Sequence, residues 1–215
     1  MVCTIVLVSH TASQFALIII DVQECFLSGG SLAVTDGNQV IPVIKRIRDL
    51  YKDEFNMVVF TQDWHCENHV SFASQFSKKE PYDTQITQTL WPDHCIKDVS
   101  SGPTSSKISE KLKPFPNIVK KGQHCQIDAY SAFNDNGNIT QTELNELLRK
   151  NNITTVFITG LALDYCVYYT ALDAVQLGYT TYIIRDASRG VAKDTTKDAV
   201  KSIRSIGSAG HGMSK

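Results

Sequence analysis

The 215-residue sequence has no surplus of either charge: 21 lysines and arginines stand against 22 aspartates and glutamates, for a formal net charge of -1. A chain with so little field of one sign has no general attraction for nucleic acid or anionic lipid, which leaves a small molecule as the expected partner. Long apolar runs are also missing. The opening MVCTIVLVSH is apolar, but it lacks a basic segment and is far shorter than the roughly 20 residues a membrane span needs. Closely spaced cysteine pairs are absent as well. Cys3, Cys25, Cys66, Cys95, Cys125 and Cys166 lie far apart. That scatter argues against zinc fingers, thioredoxin-like motifs and a disulfide framework, and favours reduced thiols in a cytoplasmic protein, with nuclear entry left open. No internal repeat or low-complexity tract is visible.

What is present reads as one folded domain. Hydrophobic residues make up 42% and charged residues 20%, which excludes a disordered or fibrous chain, and the length suits a single α/β unit. Short runs rich in β-branched and aromatic residues recur at Ala16–Asp21, Met57–Gln62, Asn117–Lys120, Thr155–Gly160 and Thr181–Arg185. They are continuously apolar, as strands covered on both faces of a parallel sheet must be. Helical periodicity separates them at Asn38–Glu54, Thr140–Asn151, Tyr165–Leu177 and Lys193–Ile206. Thr140 with Glu143 predicts a capping box at the start of the second helix. The alternation implies a three-layer α/β/α sandwich with a mainly parallel, doubly wound central sheet. Residues Ser77–Pro116, rich in lysine, proline and serine, exceed an ordinary connection and are expected to form a long loop that is either functional or disordered.

Open parallel sheets bind ligands at the carboxyl ends of their strands. Asp21 closes the first strand there, although a turn or helix-cap role suits it as well. Asp63 and His65 follow the second strand with one residue between them, a spacing that lets both side chains point the same way from an extended segment. His94, in WPDHC, supplies a third donor, and two imidazoles with a carboxylate suit Zn²⁺, Fe²⁺ or Mn²⁺. His69 is a further ligand candidate, read here as supporting the site from behind. Either Lys120 or Lys121, at the end of the third strand, can face a site, but period-two alternation points only one of them inward. Cys166 sits where a strand passes through Gly160 into a helix, so the helix dipole and unpaired amides are expected to favour its thiolate. An inert buried cysteine is the plainer alternative.

Taken together, ALIIIDVQECFL, FTQDWH with HVSF after it, LWPDHC, VKKG, DAYSAF and ITGLALDYCV resemble the nicotinamidase branch of the isochorismatase-like cysteine hydrolases. The resemblance runs from about Phe15 to Gly190. It implies an isochorismatase-like hydrolase fold over 15–206, with 1–14 as an extension and 207–215 as a polar tail where relatives continue into another apolar strand. It implies a triad of Asp21, Lys121 and Cys166, with the lysine that directly precedes Gly122 chosen. It implies one divalent metal, zinc first and iron or manganese as alternatives, on Asp63, His65 and His94. It also implies a cis Leu161–Ala162 peptide, an oxyanion hole from the amides of Ala162 and Cys166, and a substrate pocket of Phe26, Trp91, Tyr130, Leu161 and Tyr165. The activity implied is deamidation of nicotinamide, or of pyrazinamide-like amides, in NAD salvage. Membrane and nucleic acid are not expected as partners, and homo-oligomerisation is left open. The rival readings are another hydrolase of the same superfamily, acting on a ureido compound or an enol ether, and a truncated, catalytically silent member.

Overall fold

The computed structural model describes residues 13–76, 81, 84–85 and 88–210. The expected extension at 1–14 and the last five residues therefore lie almost wholly outside the described residues. The elements, in chain order, are β1 (Phe15–Ile20), α1 (Val40–Leu50), β2 (Met57–Asp63), β3 (Thr84–Gln85), β4 (Gln88–Thr89), β5 (Ile118–Lys121), α2 (Leu144–Lys150), β6 (Thr155–Leu161), α3 (Cys166–Gln176), β7 (Thr180–Arg189) and α4 (Lys193–Gly210). Strands β3 and β4 form a small antiparallel ribbon within the long loop, and the other five strands form one sheet in the order β5-β2-β1-β6-β7. Every pairing in that sheet is parallel.

Strand β1 shows why the apolar runs are unbroken. Ala16, Ile18 and Ile20 pack on one face with Leu144 and Leu148 of α2 and Val167, Ala171 and Ala174 of α3. Leu17 and Ile19 point the other way, onto Val40, Ile41 and Ile44 of α1. Successive side chains leave a strand on opposite faces, so a strand with a helical layer on each side must be apolar throughout. Gly160 is held at φ +117, and a Cβ there would collide with the backbone carbonyl of Ile20. Only glycine lets β6 lie so close to β1 at the point where both strands reach the site.

Three expectations need correction. Helix α2 begins at Leu144 rather than Thr140: the Thr140 hydroxyl and amide donate to the Asp135 carboxylate at 2.6 and 2.7 Å, and the Leu144 amide is accepted by the Thr142 hydroxyl at 3.1 Å. Asp135 also accepts from the amides of Gly137 and Ile139, so NDNGN closes on its own carboxylate and no capping box forms. The boundary expected at 206 falls inside α4, which continues to Gly210.

The third correction concerns the cysteines. Cys25 is bonded to Cys95 and Cys66 to Cys125, with Cα atoms 5.5 and 5.4 Å apart, leaving Cys166 as the free thiol among the described residues. The partners are 70 and 59 residues apart in sequence. Loops leaving the carboxyl ends of adjacent parallel strands converge whatever their separation along the chain, which a search for close spacing misses. The expectation of reduced thiols is overturned at these four cysteines. No helix among the described residues is long and apolar enough to cross a membrane.

Candidate active site

Four of the chain segments expected to carry chemistry arrive at the carboxyl end of the sheet. Asp21 follows β1 with φ at +47, Asp63 ends β2, Lys121 ends β5 and Cys166 opens α3 after β6. In the β2–β5 register Asp63 lies directly opposite Lys121, so the two side chains leave the sheet on the same face. That resolves the choice between the lysines. Lys121 is buried, whereas Lys120 points away and rests its ammonium over the Trp64 ring, 3.5 Å from the centroid.

The Lys121 ammonium is the hub. It lies 3.1 Å from Asp21 Oδ2, 2.6 Å from Asp63 Oδ1, 2.9 Å from the Ala129 carbonyl and 3.5 Å from Cys166 Sγ. Carboxylate oxygens of Asp21 and Asp63 and the Cys166 sulfur all fall within 4.8 Å of one another. Asp21 is fixed from the far side by Thr61, whose hydroxyl donates to Oδ1 at 2.6 Å and accepts from the Asp21 amide at 3.0 Å.

Electrostatics follow from that crowding. Burial raises the Asp21 carboxyl to about 6, against the pull of Lys121 and with a further push from Asp63. Burial acts on Asp63 in the same sense, but Lys121 and His65 outweigh it and hold this carboxyl well below the usual range. Lys121 stays charged: burial opposes its cation, yet Asp21 and Asp63 raise it well above the ordinary lysine value. Burial also pushes the Cys166 thiol well up, Lys121 only partly offsetting it, with Asp21 and Asp63 adding to the rise. This corrects the expectation of a standing thiolate. The helix N-terminus does not prevail over burial beside two carboxylates, so the sulfur rests as a thiol and needs a base.

A few ångströms away, ligand atoms of Asp63, His65 and His94 converge within 4.8 Å. His65 Nε2 is 3.4 Å and His94 Nε2 3.8 Å from Asp63 Oδ2. Each ring is held from behind through Nδ1, His65 by the Gly122 carbonyl at 3.0 Å and His94 by the Pro92 carbonyl at 2.7 Å. Backbone carbonyls on Nδ1 set the tautomer that leaves Nε2 free to ligate. Gly122, at φ +65, must lack a side chain because a Cβ would strike the His65 ring. Burial and the neighbouring His65 lower His94 to about 4, which keeps its ring neutral at ordinary pH. The donor set therefore fits a divalent ion of the zinc, iron or manganese kind. His69 stacks 4.1 Å from His65, takes Ser71 Oγ on Nδ1 at 2.8 Å, and has a buried Nε2 without a hydrogen-bond partner. His65, His69 and Asp128 form a second convergent group.

Phe26, Trp91, His94, Tyr130, Ala162, Tyr165 and Cys166 line a narrow cavity between these two clusters, together with Asp128. Trp91 meets Tyr165 edge-to-face at 4.8 Å, and Tyr130 packs on Tyr165 at 5.4 Å. Leu161, expected in the pocket, is fully buried and is not among the cavity's lining residues; its peptide to Ala162 is cis. Two residues escaped the reading of the sequence. Gln23 accepts from the Asp63 amide at 2.8 Å and donates to the Asp63 carbonyl at 3.0 Å, locking the backbone of a residue that serves both clusters. Its signal was its position two residues past Asp21, in DVQ. Asp128, the first residue of DAYSAF, faces the histidines.

A family model described as the isochorismatase domain matches residues 15–210. The chain belongs to the isochorismatase family. Among relatives of this family member, the nicotinamidase of Escherichia coli (strain K12) is 40% identical over 180 residues, 82% of this chain and 83% of the relative. Among solved structures, the Acinetobacter baumanii nicotinamidase pyrazinamidease superposes with a TM-score of 0.82 at 36% identity, covering 91% of this chain and 94% of that one. A pyrazinamidase of Pyrococcus horikoshii in complex with zinc gives a TM-score of 0.74 at 31% identity, covering 89% and 95%. The sandwich and its site thus sit on an isochorismatase-family scaffold.

Proposed function

We propose that this isochorismatase-family chain is an amidohydrolase that deaminates nicotinamide to nicotinic acid and ammonia through a Cys166 thioester, serving NAD salvage. The observation that carries the reading is the Lys121 ammonium within 3.5 Å of both the Cys166 sulfur and the two buried carboxylates, with the converging donors of Asp63, His65 and His94 beside it. The 40% identity to a nicotinamidase supports the substrate.

In this mechanism Asp63, His65 and His94 would hold one divalent ion, zinc first among the candidates, and a bound ion would supply a Lewis-acidic anchor for the substrate ring. Phe26, Trp91, Tyr130 and Tyr165 line the cavity that encloses the ring, so the carboxamide is presented to Cys166 without a search for orientation. Asp21 takes the thiol proton, and the sulfur attacks the carbonyl carbon while Lys121 stabilises the negative charge. The amides of Ala162 and Cys166 accommodate the tetrahedral oxygen. Asp21 returns the proton to the leaving nitrogen, and ammonia departs. Water, deprotonated by Asp21, then adds to the thioester, and the thiol is released with nicotinic acid.

Ammonia release measured with nicotinamide, pyrazinamide and a ureido substrate tests the assignment. Turnover of the two ring amides and none of the ureido compound is expected; preference for the ureido compound would move the chain to another branch of the family.

Because Asp21 must be ionised to act as a base and titrates at about 6, kcat/KM should fall roughly tenfold per pH unit below that value. Measuring bound metal across the same range separates this limb from ligand protonation. An acid limb centred near 4 would mean that burial does not raise the Asp21 carboxyl in the working enzyme. For His94→Ala we expect loss of metal and about a 10–100-fold weaker substrate affinity, read by metal content and KM.

A further inference from the structure

The two disulfides bracket the metal-ligand residues. Cys66 directly follows His65 and Cys95 directly follows His94. They differ in access. Cys25 and Cys95 are fully buried and Cys66 is buried at 6% exposure, but its partner Cys125 is partly exposed between the exposed His124 and Gln126, so access to this bond is from the Cys125 side.

The accessible pair spans the junction between the two clusters. Cys66 starts the turn that carries His65 to His69, since its carbonyl accepts from the His69 amide at 3.1 Å, and the Cys125 carbonyl accepts from the Val70 amide at 2.8 Å. Cys125 lies in the loop that leaves Lys121, passes the Gly122 carbonyl on His65, and returns at Ala129, whose carbonyl receives the Lys121 ammonium. Besides the covalent bond, the described contacts across this seam include the His65–Gly122 and Val70–Cys125 hydrogen bonds and a weak contact from Cys66 Sγ to the Gln123 carbonyl at 3.7 Å. Outer supports of a ligand set its orientation and thereby its affinity for the ion, and exposed disulfides are the ones open to exchange.

We propose that Cys66–Cys125 is a reversible cross-link that positions His65, so that retention of the metal depends on the thiol state of this pair. The inference rests on the metal assignment made above. Opening the bond takes two electrons and two protons. A dithiol supplies both and leaves as its own disulfide. With a phosphine, the disulfide takes two electrons from phosphorus, water supplies the oxygen of the phosphine oxide, and the two hydrogens of that water end on Cys66 and Cys125.

The test uses the full chain loaded with zinc, a phosphine as reductant because it competes little for zinc, and a chromogenic chelator to follow zinc release. Alkylation of thiols under native conditions, read by mass spectrometry, reports which pair has opened. Expected is opening of Cys66–Cys125 with Cys25–Cys95 intact, zinc release about 10–100-fold faster, and recovery of the slow rate on reoxidation with a small disulfide. The Cys66→Ala/Cys125→Ala double variant should release zinc at the fast rate without reductant and ignore the phosphine. If that variant fails to fold, judged by circular dichroism, the native-reduction arm on the unaltered chain decides alone. An unchanged release rate with the pair shown open overturns the proposal, as do thiols at Cys66 and Cys125 in the unreduced protein, or a double variant that still responds to phosphine. Protein that takes up no zinc in either state overturns the metal assignment together with it.

Discussion

Replacing Cys166 with alanine should lower kcat for nicotinamide deamidation by about 10⁴-fold or more, while zinc content and the melting temperature stay near those of the unaltered chain. The size follows from chemistry: no other described thiol is free, and without the sulfur no thioester forms. The selectivity follows from structure. The sulfur lies 3.5 Å from an ammonium that has two carboxylates and a carbonyl as its main partners, so removing it leaves no charge uncompensated. The thiol belongs to a helix whose Thr170 hydroxyl still donates to the residue-166 carbonyl at 2.6 Å, a backbone contact that alanine keeps. Ammonia release checks the first half, and metal analysis with a thermal melt checks the second. Activity within tenfold of the original would rule out the covalent route and leave direct attack by water. Cys166→Ser should also be nearly inactive, because a buried hydroxyl is harder to deprotonate than the thiol by a base that titrates at about 6.

How much of this was legible beforehand depends on whether a feature is local or is made by sheet order. The three inner strands, β2, β1 and β6, were legible because each is apolar on both faces, as β1 shows with Ala16, Ile18 and Ile20 on one side and Leu17 and Ile19 on the other, whereas the outer strands β5 and β7 are partly exposed. Asp21, Asp63 and Cys166 were legible because each stands at the carboxyl end of a strand, where a parallel sheet opens its crevice. Lys121 was narrowed to two candidates by alternation and selected only by its family resemblance; the register that sets it against Asp63 is a long-range property that no local pattern carries. The cysteine pairs were misread for the same reason, since Cys66 meets Cys125 only because β2 and β5 are neighbours. The start of α2 failed differently. A local competitor, the Asp135 carboxylate, captured the Thr140 hydroxyl before it could cap the helix. The protonation of Cys166 was misjudged by weighing the helix dipole without the burial that surrounds it, and burial is a property of the fold.

The single feature of this site with the largest consequence for stability is that Lys121 is one cation between two buried carboxylates. Lys121→Met keeps much of the side-chain volume and removes the charge, leaving Asp21 and Asp63 facing each other at under 5 Å with almost no solvent. Stranding a buried charge in this way costs about 3–5 kcal/mol, which for a chain of this size corresponds to a fall in melting temperature of about 10 °C. The pH dependence gives the cause away. In the unaltered protein Lys121 opposes the effect of burial on both carboxyls; without it the Asp21 value, already raised, climbs further and the Asp63 value climbs with it, so the folded form takes up protons more readily. A carboxyl with a raised folded value stabilises the fold below its unfolded value and loses that contribution as pH climbs through the folded one. The variant should therefore recover part of its deficit between pH 8 and pH 5, whereas a variant destabilised only by poor packing would run parallel to the unaltered protein. Melts of chelator-treated protein at several pH values distinguish the two, and chelation keeps a bound ion from supplying the missing positive charge to Asp63. The same substitution should lower kcat by about 10²–10³-fold, the usual loss when a positioned donor to developing negative charge is removed. A melt that shifts by less than about 2 °C would mean that Asp21 and Asp63 are not both ionised in the folded chain, and the triad would then need a different assignment of charge.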